Sequence, residues 1–181
     1  MNPLSQSGCV GQIRWSVDRL GFEVRHERDG DSSLDLLRRV ETLTELEEVV
    51  RRDGEGKYRP LRGEMNLVQG WFYRAKSSEE LREVLEVIYP GAVGNWEAER
   101  EGRLVQEDWK GAAKSQMGRV QKLIENGEKS VERAEKELCQ ERCGKSPLWA
   151  GKKCRAEEGR IPLVCVEPCP ILWDVALASG S

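Results

Sequence analysis

The sequence is poor in histidine, since His26 is the only one among 181 residues. One imidazole excludes a metal site with two histidine ligands and leaves no convincing Ser–His–Asp triad. Glycine-rich phosphate loops and dinucleotide-binding fingerprints are also missing. The common kinds of enzyme site therefore have few candidate residues here, and we do not expect an enzyme on its own.

The chain has no excess of charge of one sign and no long hydrophobic run. Its 29 Lys and Arg residues face 32 Asp and Glu residues, for a net charge of −3. This balance gives no electrostatic reason to expect nucleic acid or an anionic membrane as partner. No apolar run approaches the ~18–20 residues that span a bilayer, and the N-terminus lacks the pattern of a secretory signal. The expected location is the cytoplasm.

Cysteine, in contrast, is concentrated in one part of the chain. Five of the six cysteines lie between Cys139 and Cys169, and Cys9 stands apart. In a reducing compartment, clustered thiols are more often metal ligands or redox groups than structural disulfides. The clustering therefore indicates one site near the C-terminal end of the sequence.

The first part of the chain alternates between apolar and polar residues. Residues 11–17 and 22–26 show the two-residue period of half-buried strands, and the short connection at 18–21 predicts a β-hairpin. His26 falls at a strand end beside charged residues, which predicts a surface imidazole. Residues 34–40 fit either a strand or a helix.

Two helices with capping-box spacing are expected next. Thr44 and Glu47 predict the start of the first helix, which should end near Arg52, and Ser77 and Glu80 predict the start of the second. A strand is expected at residues 67–73, between the two helices. This order predicts an α+β fold, with a small mixed sheet and two capped helices over residues 9–105.

A second domain is expected over residues 106–178, small, mainly helical or irregular, and rich in cysteine. Residues 106–127 are expected to be a connector with some helical content. Residues 128–138 have a strongly helical composition with one apolar face, so this helix should lead directly to Cys139.

Four of the cysteines form two pairs with equal spacing. Cys139 and Cys143 are four residues apart at a helix end, so both thiols can project from one face. Cys165 and Cys169 flank Pro168 and precede Pro170, which excludes a regular helix there. The 21 residues between the pairs are enough to return the chain. We therefore expect the second pair to close over the first.

The spacing also bears on the identity of the metal. Structural zinc sites favour Cys-x-x-Cys turns, whereas a [4Fe–4S] cluster accepts thiolates from a wider frame, and Cys-Pro occurs in ferredoxin motifs. The leading interpretation is a [4Fe–4S] cluster, with Zn²⁺ and a redox dithiol or plain buried thiols as alternatives. Eight apolar neighbours can shield a cluster from water: Leu148, Trp149, Ile161, Leu163, Val164, Ile171, Leu172 and Trp173.

Five cysteines compete for four ligand positions. Cys154 lies in a polar, basic run with few groups to bury it, so we assign it as the spare. As alternatives, it can replace a weaker ligand or act as a redox-responsive thiol.

Four segments resemble a known family: Lys57-Tyr58-Arg59-Pro60-Leu61, Gly70-Trp71, the helix ending at Tyr89-Pro90, and Pro168-Cys169. They are similar to the stabilising domain and the [4Fe–4S]-binding domain of long sirohydrochlorin cobaltochelatase-like proteins. The resemblance covers residues 11–178, without the chelatase region. It implies a cluster held by four cysteines, matching Cys139, Cys143, Cys165 and Cys169.

The function that this resemblance implies is that of an iron–sulfur accessory protein. It would serve electron transfer or cluster-dependent regulation linked to metal chelation by tetrapyrroles or cobalamin. The expected partner is a separately encoded tetrapyrrole chelatase or a redox partner. A zinc-stabilised scaffold or interaction module is the alternative function.

Overall fold

The computed structural model describes residues 3–52, 55–58, 67–106, 108–116, 118–151 and 159–179. Its buried side chains form two apolar clusters. We call residues 3–100 together with the strand Arg160–Ile161 the sheet region, and residues 108–151 and 164–179 the cysteine region. The whole is a mixed α+β fold, which confirms the predicted fold class.

Of the eight strands in the described residues, six form one mixed sheet in the order β4-β5-β3-β2-β1-β7, and β6 pairs with β8 in a separate two-stranded sheet. The pairs β4–β5, β1–β7 and β6–β8 are parallel, and the others are antiparallel. The strands are β1 (Gly8–Val10), β2 (Ile13–Asp18), β3 (Gly21–His26), β4 (Arg38–Val40), β5 (Trp71–Ala75), β6 (Ser146–Pro147), β7 (Arg160–Ile161) and β8 (Val164–Cys165).

The predicted hairpin is present between β2 and β3, where Asp18 lies opposite Gly21. Gly21 has φ +120°, and a Cβ atom there would lie 2.4 Å from the carbonyl oxygen of Ala75. Glycine is required at this position because β5 passes close to the end of the turn. The Asp18 carboxylate also accepts a hydrogen bond from the backbone N–H of Leu20, at 2.7 Å.

Three helices complete the sheet region: α1 (Leu43–Val50), α2 (Ser78–Ile88) and α3 (Ala92–Arg100). Ser77 caps α2 as predicted, since its hydroxyl accepts a hydrogen bond from the N–H of Glu80 at 3.2 Å. The predicted cap of α1 at Thr44 is wrong. Thr42 caps that helix and accepts from the N–H of Glu45, and the Glu45 carboxylate accepts from the N–H of Glu41. These two bonds start the helix earlier, so Thr44 falls inside its first turn.

The ambiguous segment 34–40 contains both a 3₁₀ turn, Leu34–Leu36, and the strand β4. Strand β5 begins at Trp71, later than the predicted start at residue 67. It lies between β3 and β4, so it is an inner strand of the sheet.

His26 is buried, so the prediction of a surface imidazole is wrong. Its Nδ1 atom accepts a hydrogen bond from the N–H of Arg28 at 3.0 Å. Burial lowers the pKa of this imidazole, because the charged form loses its hydration. The charged neighbours in the sequence point away from the core, while the last residue of β3 points into it.

The C-terminal part of the chain contributes to the core of the sheet region. Strand β7 pairs with β1, with Cys9 opposite Arg160 and Val10 opposite Ile161. Ile161 and Leu163 belong to the same apolar cluster as the side chains of α1 and α2. The sheet therefore includes a strand from beyond residue 105, while the proposed boundary between two domains stays a prediction.

Short elements make up the cysteine region, and α6 packs against α7. Nowhere in the described ranges is there a helix with the length and apolarity to cross a membrane. The helices are α4 (Trp109–Lys114), α5 (Leu123–Asn126), α6 (Glu128–Ala134), a π-helix (Glu135–Arg142), a 3₁₀ turn (Leu148–Ala150) and α7 (Pro170–Ser179).

Candidate metal centre

The first cysteine pair is held by the π-helix that continues α6. Its hydrogen bonds span five residues, as in the bond from the N–H of Cys143 to the carbonyl oxygen of Leu138 at 2.9 Å. A four-residue spacing is close to one turn of such a helix, so Cys139 and Cys143 lie on the same side. The N–H of Lys145 then bonds to the carbonyl oxygen of Cys139 at 2.8 Å, which turns the chain back after the pair.

The second pair lies between a short strand and a helix. Cys165 is on β8, opposite Pro147 of β6, and Cys169 immediately precedes α7. As predicted, no helix runs through this pair, because residues 166–169 precede the first helical residue, Pro170. Proline suits this first position, where its missing N–H would have no partner in the helix.

The four thiols of the two pairs lie near one another. Burial raises the pKa of the Cys139 thiol far above its ordinary value, and negative charge on Cys165, Cys143 or Cys169 would raise it further. Burial also raises the pKa values of the Cys143 and Cys165 thiols. All four cysteines pack in the same apolar cluster. The structure therefore brings together the four residues predicted from the sequence.

Opposite charge near the thiols comes from Lys145 and, at Cys143, also from Arg142. The Lys145 ammonium group lowers the pKa values of Cys143 and Cys165, against the larger effect of burial. Because metal ligation needs thiolates, binding at this centre would release protons, and burial makes those protons costly to remove without a metal.

Apolar side chains surround the four cysteines. Of the eight predicted shielding residues, Trp149, Leu172 and Trp173 are buried in the cysteine cluster, and Ile171 is partly buried there. Ile161 and Leu163 instead pack in the sheet region, because β7 carries them to the edge of the large sheet. Leu148 and Val164 are also buried. Helices α4–α6 and the π-helix add lining residues that the prediction did not include: Ala113, Leu123, Val131, Ala134 and Leu138.

Glu135 is a buried carboxylate beside the centre, and the sequence reasoning missed it. It accepts a hydrogen bond from Nε2 of Gln140 at 2.5 Å, and its charge raises the pKa of Cys139. The sequence did contain a signal for this burial, because Glu135 lies four residues after Val131 and four before Cys139, on the buried face of the helix. A cavity of about 490 Å³ adjoins it, lined by Glu135, Trp149 and eight further residues.

The remaining cysteines are separate from this centre or outside the described chain. Cys9 lies on β1 in the sheet region, and Cys154 lies outside the described residues. The five cysteines that are described form no disulfide. Over the same described ranges, no three Cys, His, Asp or Glu side chains are arranged to hold a single metal ion.

Comparison with known proteins identifies the family of the first part of the chain. Residues 3–100, more than half of its length, match the DR2241 stabilising domain. The chain belongs to the DR2241 stabilising domain family. This confirms the stabilising-domain part of the resemblance seen in the sequence, although Arg59, Pro60 and Leu61, which contributed to it, lie outside the described residues.

A solved structure extends the likeness over both regions. The chain superposes on DR2241 from Deinococcus radiodurans with a TM-score of 0.84 and 26% sequence identity. The match covers 98% of this chain and 39% of DR2241, so the chain spans well under half the length of that protein. DR2241 is described as a multi-domain protein with structural similarity to chelatases and two additional novel domains. No curated protein matches the chain.

Proposed function

We propose that the cysteine region binds one [4Fe–4S] cluster through Cys139, Cys143, Cys165 and Cys169. The observation that carries this proposal is the packing of four buried or half-buried cysteines from two separate segments in one apolar cluster. A cubane cluster is ordinarily held by four cysteine thiolates, so the number and type of donors fit. The cluster would supply a site that gains and loses one electron.

The arrangement of the donors favours a cluster over zinc. Structural zinc sites favour Cys-x-x-Cys turns, whereas three residues separate the two cysteines of each pair here. A cubane cluster accepts thiolates from a wider frame, and cysteine followed directly by proline, as at Cys169, also occurs in ferredoxin motifs.

The surroundings also suit a cluster. Trp149, Leu172 and Trp173 are at most 5% exposed and keep water from the buried side of the centre. Solvent exclusion and nearby charge both tune the potential of an iron–sulfur cluster. Lys145 is the positive group near Cys143 and Cys165, so it would favour the more negative, reduced form.

The biological role that we propose follows from family membership. DR2241 is described as similar to chelatases, and this chain matches a part of it that includes the stabilising domain. We infer an accessory iron–sulfur module for metal chelation by tetrapyrroles or cobalamin, with electron transfer or cluster-dependent regulation as its task. Its partner would be a separately encoded tetrapyrrole chelatase or a redox protein.

The test is anaerobic purification followed by metal and sulfide analysis. The proposal predicts a brown protein with about four irons and about four acid-labile sulfides per chain. One tightly bound zinc in a colourless protein would support the zinc-stabilised scaffold instead. A chain without metal after anaerobic reconstitution with iron and sulfide would leave only buried thiols and overturn both.

A further inference from the structure

Trp149 lies next to the candidate centre because of strand pairing. Strand β6 ends at Pro147, which is opposite Cys165 on β8, and the 3₁₀ turn Leu148–Ala150 follows at once. That turn contacts β8 and places Trp149 in the apolar cluster with all four cysteines. The indole is therefore fixed by backbone pairing to the same strand that carries Cys165.

The indole N–H of Trp149 lacks an ordinary partner. The side chain is 2% exposed, and in the described part of the chain its Nε1 atom makes no hydrogen bond of normal geometry. Buried tryptophan N–H groups usually find an acceptor, and an unmade bond costs the desolvation of the donor. Because Trp149 packs in the same cluster as the four cysteines, their sulfurs are the candidate acceptors for this buried donor.

Cys165 lies on the strand that pairs beside the 3₁₀ turn of Trp149, so its sulfur is the candidate acceptor. The Cys165 Sγ atom itself donates to the carbonyl oxygen of Glu167 at 3.2 Å. A metal-bound thiolate has no proton to donate and accepts more strongly than a thiol.

We propose that the Trp149 indole N–H donates to the Cys165 sulfur when the cluster is bound and raises the cluster's reduction potential. This inference rests on the proposed function, and it assigns a positioning and tuning role to a residue that is not itself a ligand. Reduction adds negative charge that spreads onto the sulfurs, so a donor at Cys165 stabilises the reduced state more than the oxidised state. Hydrogen bonds to cluster sulfurs are an established means of tuning.

The first experiment compares reduction potentials. Trp149→Phe removes the N–H and keeps an aromatic ring, and Trp173→Phe makes the same change elsewhere in the same apolar cluster. In EPR-monitored redox titrations, Trp149→Phe should lower the potential by up to about 59 mV, which is a tenfold shift in a one-electron equilibrium. Trp173→Phe should change it much less. An unchanged potential in Trp149→Phe, or equal shifts in both variants, would overturn the inference.

A second measurement does not depend on the stability of the variant. Wild-type protein with ¹⁵N-labelled indole should show ¹⁵N hyperfine coupling to the reduced cluster, transmitted through the hydrogen bond. The coupling should persist in Trp173→Phe, and its absence from the wild type would reject the donor role. A wild-type chain that loads a cluster but lacks this coupling contradicts only the role of Trp149. A wild-type chain that loads no cluster contradicts the proposed function and this inference together.

Discussion

The sheet region and the cysteine region are stabilised in different ways. Helix α2 packs four fully buried side chains against the sheet, and both α1 and α2 start with a side-chain cap. The cysteine region has two-residue strands, helices of four to ten residues, and thiols whose pKa values burial raises. Apolar packing accounts for the stability of the sheet region. In the cysteine region, the packed groups include the four proposed cluster ligands, so we expect a bound cluster to contribute to its stability.

The largest effect that separates the regions is expected from loss of a ligand. Cys139→Ser, Cys143→Ser, Cys165→Ser or Cys169→Ser should each abolish stoichiometric cluster loading. Each should also reduce hydrogen-exchange protection in α6 and α7, because the cluster that we propose to join the two cysteine pairs would be lost. Protection in α2 should change little. Iron analysis and hydrogen exchange by mass spectrometry measure both effects.

Cys9→Ser is the matched control, because Cys9 lies on β1 and not with the four thiols. It should leave loading intact, and so should Cys154→Ser if Cys154 is the spare. Loss of loading in Cys154→Ser would mean that Cys154 is a ligand and that the set of four is wrong. Equal loss of hydrogen-exchange protection in both regions would contradict the claim that the two regions are stabilised in different ways.

The next effect should appear in the sheet region. Leu85→Ala removes a fully buried side chain of α2 and should cost about 2–5 kcal/mol in the free energy of unfolding. Denaturant unfolding followed by far-ultraviolet circular dichroism measures this loss. Where the chain remains folded, its iron content should match the wild type, because Leu85 does not pack in the cysteine cluster. Selective loss of iron would show that the two regions depend on each other.

A smaller effect tests the cap of α1 within the sheet region. Thr42→Ala should cost about 1 kcal/mol, because the N–H of Glu45 loses its acceptor. Thr44→Ala is the control, since Thr44 is exposed and lies inside the first turn; it should change stability by less than about 0.5 kcal/mol. Thermal unfolding of the two variants side by side distinguishes them. A larger loss of stability in Thr44→Ala than in Thr42→Ala would mean that Thr44 caps the helix.

The smallest expected effect is a dependence of the sheet region on pH. The folded pKa of His26 is below its ordinary value of 6.5, so near that pH the unfolded chain binds more protons than the folded chain. The stability that comes from the neutral imidazole is present above 6.5 and decreases as the pH falls below it. His26→Gln should weaken this dependence in unfolding curves measured between about pH 7 and pH 5. Identical pH profiles for wild type and His26→Gln would contradict the buried, neutral imidazole.

Features set by neighbouring residues could be predicted from the sequence. The four apolar positions of α2 and its Ser77 cap follow from spacing, as does the hairpin at residues 18–21. Thr44 and Glu47 had the correct spacing for a cap, yet Thr42 and Glu45 have the same spacing. Pattern alone could not choose between two overlapping candidates, because the choice depends on where β4 delivers the chain to the helix.

Features that depend on distant pairing could not be predicted. Strand β7 has only two residues, and only its pairing with β1 makes it a strand. That pairing carries Ile161 away from the cysteines to which the sequence had assigned it. The π-helix was also missed, because its residues favour an α-helix equally well. The spacing of the two cysteine pairs survived these errors, since it depends on local structure at each pair.

Native mass spectrometry of the anaerobically prepared wild-type chain tests the central claim most directly. We expect one species with the mass of the chain plus four irons and four sulfides. The same preparation of Cys139→Ser should show the mass of the chain without this addition. A wild-type chain that carries a single zinc, or no metal after reconstitution, would contradict the claim that these four cysteines hold a [4Fe–4S] cluster.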